Sequence, residues 1–450
     1  MRCLIILFLI LGGFSAWSQQ SSTDFLFTIK TDNPGLTNST SFRLNLNQPN
    51  INYLVDIDWN NDGVFDTLGV TNSITHNYLT TGNYTIRLKG QFPKLLLGDY
   101  KTNQSDRSKL ISVDQWGNQP WTDVSLMFIN CDSLLTTPLD TPDFSRIWAL
   151  GSMFAGAEKF DGPVNHWDVS MVTTTNVMFY GAESFNQPMD NWDVSSIVFA
   201  SRMFAHAKSF NSSLNNWNLT SAIDISFMFE GATSFNQSIN SWSTPVCTSM
   251  FSMFLEAHNY NRPMDSLDVS NVIDFGRMFE NASSFNQDIS NWDYSGAFGM
   301  RWFLDNSGMS TSNYDALLQS WRTNYLNRNL NVGALGMEYC SGSAARATLV
   351  QSGWQFNGDT LQSNCTFTAD HQLNLKTEKD FYVYPNPSEG LIHLELERIQ
   401  SDKIRIYNSF GQQVAEIMPE NKMVIINITH FDNGLYFVQY RNQISKLVKK

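Results

Sequence analysis

The sequence predicts a mainly β protein, a solenoid of 25-residue repeats set between two small all-β domains. Two observations carry this reading. Met-Phe recurs at Met127, Met153, Met178, Met203, Met228, Met253 and Met278, in one step of 26 and then steps of 25, and Trp302-Phe303 closes the series one residue early. On either side of that array, alternating apolar and polar residues separated by Gly, Asn and Pro read as short strands joined by turns.

Further columns keep the same period. Phe160, Phe185, Phe210, Phe235, Tyr260 and Phe285 form one, and Trp167, Trp192, Trp217, Trp242, Leu267 and Trp292 another. Ala157, Ala182, Ala207, Ala232, Ala257 and Ala282 form a third. Several columns held in register at a step of 20 to 30 residues mark a solenoid, whose units bury their apolar faces only against their neighbours. The unit reads Met-Phe-x-Gly-Ala-x-Ser-Phe-Asn-Gln-x-Ile-x-x-Trp-Asp-Val-Ser-x-Val. Met-Phe-x-Gly-Ala suits one helical or 3₁₀ turn. One strand per unit is expected at Phe-Asn-Gln-x-Ile, centred near Val164, Met189, Leu214, Ile239, Met264 and Ile289. Trp-Asp-Val-Ser makes a tight turn in which Asp and Ser bond nearby amides.

Two of these columns admit a functional reading beside a structural one. Asp161, Asn186, Asn211, Asn236, Asn261 and Asn286 form either a polar binding stripe or a ladder that satisfies backbone groups at each bend, and the ladder is favoured. The tryptophans are either a sugar-stacking row or stacked core, and the core is favoured. Asp168, Asp193, Asp268 and Asp293 resemble paired catalytic acids, but Asn218 and Ser243 break the column, so turn capping accounts for them better.

The flanks complete the layout. Residues 24–98 show strand alternation at Phe25–Ile29, Phe42–Leu46 and Tyr84–Leu88. The run from Ile74 to Tyr78, followed by Gly82 to Ile86, resembles the last hairpin of a PKD-like (polycystic-kidney-disease-type) β-sandwich, which implies a spacer or interaction module. From 110 to 365 the unit resembles the BspA-like leucine-rich-repeat surface proteins. The likeness extends to Ser112–Gly117 as an opening segment, and to Tyr314–Trp321 and Tyr339–Gly342 as a closing cap. It implies adhesion to an extracellular protein or glycan partner and brings no ligand residues with it.

Residues 381–450 resemble the type A sorting domain of the type IX secretion system. The likeness rests on Val383-Tyr384-Pro385-Asn386-Pro387-Ser388-Glu389-Gly390, Lys403–Asn408, Gly411, Gly434–Val438 and the basic end Lys446, Lys449, Lys450. It implies a C-terminal β-sandwich and that secretion machinery as a partner, with residues 366–380 as a polar linker.

Composition and motifs bound the function. Residues 1–18 read as a signal peptide, because the apolar run Leu4–Gly13 is too short for a membrane anchor and Ala16-Trp17-Ser18 suits signal peptidase. No later stretch is long and apolar enough to span a bilayer. A net charge of −13 argues against nucleic acid as a partner. His166, His206 and His258 fall at different repeat offsets, and no metalloprotease, nucleophile-elbow or phosphate-loop motif occurs, so no enzyme is expected.

Asp58, Asn60 and Asp62, with Asp66 beyond, space oxygens as a calcium loop does, though Gly69 stands where the closing Glu would be. A plain turn between strands is the other reading, and no other cofactor is implied. Cys131 and Cys247 replace small apolar column residues and should be buried and unpaired. Cys340 and Cys365 lie outside the repeat, in an oxidising compartment, and are expected to form a disulfide. The expected function is a secreted or surface recognition and adhesion protein. The alternative is a carbohydrate-binding or carbohydrate-acting one, contacting sugars through its aromatic rows.

Overall fold

The computed structural model describes residues 23–100, 105–325, 328–363, 365, 381–384, 387–396, 402–409, 412–441 and 443–450. The expected signal peptide (1–18) and linker (366–380) lie outside the described residues. Among the described residues strands take up 25 % and helices 7 %, with no closed barrel, so the fold is mainly β. Two compact units, Met1–Asn364 and Cys365–Lys450, are described in turn.

The first unit begins with β1 (Phe25–Lys30), β2 (Ser41–Leu44), β3 (Leu54–Asp58), β4 (Thr67–Val70), β5 (Ile74–Asn77), β6 (Asn83–Gln91) and β7 (Leu110–Gln115). Alternation does its expected work here: Phe25, Phe27 and Ile29 are buried while the residues between them are only half-buried. The main sheet runs β4-β3-β6-β1-β7, and β2 pairs with β5 in a second one. The expected hairpin at 74–86 is therefore a corner between sheets. Tyr78 and Tyr84 stack at 3.7 Å across it, and the Tyr84 hydroxyl donates to the Thr80 carbonyl at 2.9 Å.

Strand β7 falls in the segment assigned by sequence to the repeats, yet it pairs with β1 and covers what would be an open edge. Its Ser112 also bridges in parallel to Thr136, so the sheet passes directly into the repeats. One hydrophobic core runs from Phe25 to Trp354, with no break near residue 98. A buried ion pair ties down the connection. Lys109 and Asp106 lie 3.7 Å apart with fully buried side chains. The Lys109 ammonium donates to the carbonyls of Thr37, Asn38 and Ser41, and Asp106 accepts from the amides of Thr37 and Arg43. Burial lowers the Lys109 pKa, and these partners compensate the charge.

In the repeats the backbone ladder lies elsewhere than the sequence suggested. The Phe-Asn-Gln-x-Ile segments form no strand. Single parallel bridges instead join Ala149, Thr174, Phe199, Asp224, Ser249, Asp274 and Gly299 in series. Around Met-Phe, alternate amides point to alternate partners. Leu150, Ser152, Phe154 and Gly156 donate to Thr174, Asn176, Met178 and Tyr180 of the next coil, while Met153, Ala155 and Ala157 close three-residue turns within their own. The segment is thus at once a run of turns and an inter-coil ladder.

That geometry needs two left-handed residues per coil, one before Met and one three after it. Gly156 and Gly181 fill the second site at φ +70° and +65°, which explains the Gly of the motif. Val177 fills the first at φ +63°, an uncommon conformation for a β-branched residue.

Aromatic columns form the interior. Within one coil Phe204 and Phe210 stack at 4.1 Å; between coils Phe204 meets Phe179 and Phe229 at 5.8 Å each, and Phe210 meets Phe185 and Phe235 at 5.9 Å each. The methionine, phenylalanine and alanine columns are all buried.

A cap closes the array with α1 (Thr311–Asn324), β8 (Asn331–Gly333), β9 (Glu338–Tyr339), α2 (Ser343–Gln351), β10 (Gln355–Asn357) and β11 (Thr360–Leu361). Met300 bridges in parallel to Val332 of β8, which carries the array's pairing into the cap. Arg346 grips Asp359 through two hydrogen bonds of 2.6 and 2.7 Å, and Trp321 and Trp354 fill the interior.

The second unit has β12 (Phe381–Tyr384), β13 (Leu391–Leu396), β14 (Ile404–Asn408), β15 (Gln413–Ile417), β16 (Met423–Asn427), β17 (Gly434–Tyr440) and β18 (Gln443–Lys449). They form a three-stranded sheet, β12-β13-β16, and a four-stranded sheet, β15-β14-β17-β18, antiparallel throughout. Ile392, Leu394, Ile406, Val438 and Leu447 belong to one core.

If the ring columns hold the repeats together, Phe204→Ala should cost about 3–5 kcal/mol, as buried aromatic truncations do. Phe204→Leu should cost clearly less, because it leaves a smaller void. Urea unfolding followed by tryptophan fluorescence measures both.

Candidate functional site

The polar columns are occupied with backbone. The Asn186 amide donates to Asp161 Oδ1 at 2.9 Å, Asn211 to Asn186 Oδ1 at 2.8 Å, Asn236 to Asn211 Oδ1 at 2.9 Å, and Asn261 and Asn286 continue the ladder. These side chains do the inter-coil bonding that a strand would have done, which is why none forms there. Asp168, Asp193 and Asp268 each accept from the amide and hydroxyl of the serine two residues on. The bond from Ser170 holds the Asp168 carboxyl below its ordinary pKa, and Ser195 does the same for Asp193. Asn218 caps Thr220 in the same way, so the column needs an acceptor rather than an acid.

The tryptophans are core. Trp192, Trp217, Trp242 and Trp292 are buried, and their indole N–H groups donate to Val164, Met189, Leu214 and Met264 carbonyls of the preceding coil at 2.8 to 2.9 Å. Their faces are closed to sugar rings.

A different column is open to solvent, and it is one the sequence reading passed over. Trp148, Thr173, Val198, Ile223, Thr248, Ile273 and Phe298 recur at 25-residue steps. Each amide donates to the carbonyl of the previous member at 2.8 to 3.0 Å, which fixes the side chains in a single row. Trp148 is 65 % exposed and Phe298 87 %, with Ile223 and Ile273 also exposed between them. Phe199, on the neighbouring bridge column, is exposed as well. Beside it runs a second line in which the Arg202 guanidinium lies 3.7 Å from the Phe227 ring and Arg277 5.4 Å from Trp302. The legible signal was the absence of any charge or glycine at a position where interior packing makes no demand.

The remaining candidates stand apart from this row. In the β3–β4 loop, Asp58 Oδ1 accepts from the Asn60 and Asp62 amides and its Oδ2 from Gly63, while Asp66 accepts from Trp59 and Asp62 from Val64. These bonds fold the loop's carboxylates into a turn between β3 and β4. Among the described residues no group of three or more His, Cys, Asp or Glu is placed to hold a metal. His166, His206 and His258 each meet local partners in separate coils and do not converge. Cys131 and Cys247 are buried and free, and burial pushes the Cys247 thiol up to about 12. Cys340 and Cys365 are disulfide-bonded.

Two family matches bear on identity. Residues 122–242 and 213–321 match the family described as Mycoplasma protein of unknown function, DUF285, across the repeats. Residues 382–450 match the secretion system C-terminal sorting domain. The chain is exported by type IX secretion to the cell surface or beyond. No curated protein and no solved structure matches it. Of the sorting segment's residues, Pro385, Asn386 and Gly411 lie outside the described ones, but Ser388 bridges to Lys449 and so joins the segment's start to its basic end. Among the described residues no helix is long and apolar enough to cross a membrane.

A chain lacking 381–450 should fold its first unit normally and accumulate in the periplasm. Fused to a signal-bearing reporter, the same 70 residues should carry it to the surface or medium. Cell fractionation with surface proteolysis reads both.

Proposed function

We propose that the central region is a BspA-like solenoid that works as a recognition and adhesion module rather than an enzyme. Its exposed row is read here as the contact face for an extracellular protein or glycan. One observation carries the proposal: on an exported protein, a row held between coils from Trp148 to Phe298 keeps Trp148, Ile223, Ile273 and Phe298 in water, with Phe199 exposed beside it. Large apolar side chains exposed along one face mark interaction sites. Because the row's amides and carbonyls are paired between coils, a partner meets side chains rather than a free strand edge. The N-terminal sheets, read as PKD-like, serve as a spacer or interaction module built onto the start of the repeats.

Phe199→Asp combined with Ile223→Asp tests the reading. Both side chains are partly exposed, so the double variant should stay folded with only a modest fall in melting temperature. Binding to an array of matrix proteins and glycans should fall about tenfold or more, as loss of central apolar contacts does. Unchanged binding by the double variant would remove the row as the contact face.

A further inference from the structure

The row ends in a cavity of about 630 Å³ where the last coil meets the cap. Phe298 and Trp302 line it and are 87 % and 47 % exposed, so two aromatic rings face solvent at one place. Phe251 adds a third, less exposed ring. Size and lining suit a small ligand site, with apolar surface for contact and a few polar groups for orientation.

Positive charge predominates in the lining. Arg301 and Arg328 both line the cavity. Arg328 is held in place by donating to the Ala297 carbonyl at 2.5 Å. Asp274 is the lining carboxylate, and its Oδ1 already accepts from the Gly276 amide at 2.9 Å. In a chain of net charge −13, two guanidiniums against one carboxylate make a local exception.

We propose that this cavity binds an acidic saccharide, a short chain of sugars bearing ring carboxylates. The inference rests on the recognition reading above and names a ligand class for one end of the same row. The C–H face of a pyranose packs on Phe298 and Trp302. A uronate carboxylate pairs with Arg301, whose planar fork matches it in two hydrogen bonds. Asp274 and the exposed Asn329 supply acceptors and donors for ring hydroxyls. An acidic peptide shares the charge but finds no free edge to extend, because Phe298 and Gly299 donate to Ile273, and Gly333 donates to Met300.

The test is calorimetry on the full exported chain with trigalacturonate, its fully methyl-esterified form and an acidic hexapeptide. Trigalacturonate should bind, with the ester at least about tenfold weaker for want of the charged hydrogen bonds. Arg301→Gln and Phe298→Ser should each weaken binding about tenfold at an unchanged melting temperature, both side chains being exposed. Equal binding of acid and ester, binding of neither, or tighter binding of the peptide overturns the proposal. The Phe199/Ile223 variant lies outside the cavity and should bind trigalacturonate normally. If the cavity variants change nothing while that variant still loses its array partners, the acidic-saccharide site falls and the recognition reading stands.

Discussion

Two phenylalanine columns, face to face within each coil and stacked between coils, set the constraint from which the rest of the stack follows. No coil encloses a core of its own; each ring is completed by the rings 25 residues before and after it. The rings tolerate little offset, so the chain must return to the same place after each circuit, and the period is held with almost no variation. The buried tryptophans and the asparagine ladder serve that same return. One ties each coil's interior to the carbonyl of the coil before, and the other ties its outer bend. Two left-handed residues per coil are the local cost, about 1–2 kcal/mol each where the residue is not glycine.

Much of this could be read from the residues because each feature repeats. A column of Asn, Trp or Asp-x-Ser states the same local bond several times, and an exception such as Asn218 shows which property matters. The strand placement went astray for a related reason. Alternation at Phe-Asn-Gln-x-Ile looks like a strand, but the asparagine side chain takes the bond that a backbone ladder would make. Meanwhile the true ladder hides in a Met-Phe turn that shows no alternation at all. The contact of Lys109 with residues 37–41 and the pairing of β7 with β1 join positions far apart in sequence and leave no periodic trace. The exposed row was missed because mixed Trp, Thr, Val, Ile and Phe at one offset shares no residue type.

The proposed display role suits such a stack. Its interior is spent on register, its bends on polar ladders, and the exposed row from Trp148 to Phe298 is held rigid by backbone bonds between coils. Rigidity of that sort lowers the ordering cost of binding. The C-terminal unit supplies the address, since its sorting domain directs the chain to the cell surface or beyond.

The account's central claim is that coils depend on neighbours in register. Excising Met203–Phe227 removes one whole unit and joins Arg202 to Met228, so the columns still meet. Excising Met203–Asn215 removes half a unit and puts every column out of line. Near-ultraviolet circular dichroism through a thermal melt compares them directly. The whole-unit deletion should keep its aromatic signal and melt cooperatively, and the half-unit deletion should lose both. If the two deletions behave alike, the register of the ring columns is not what holds the protein together.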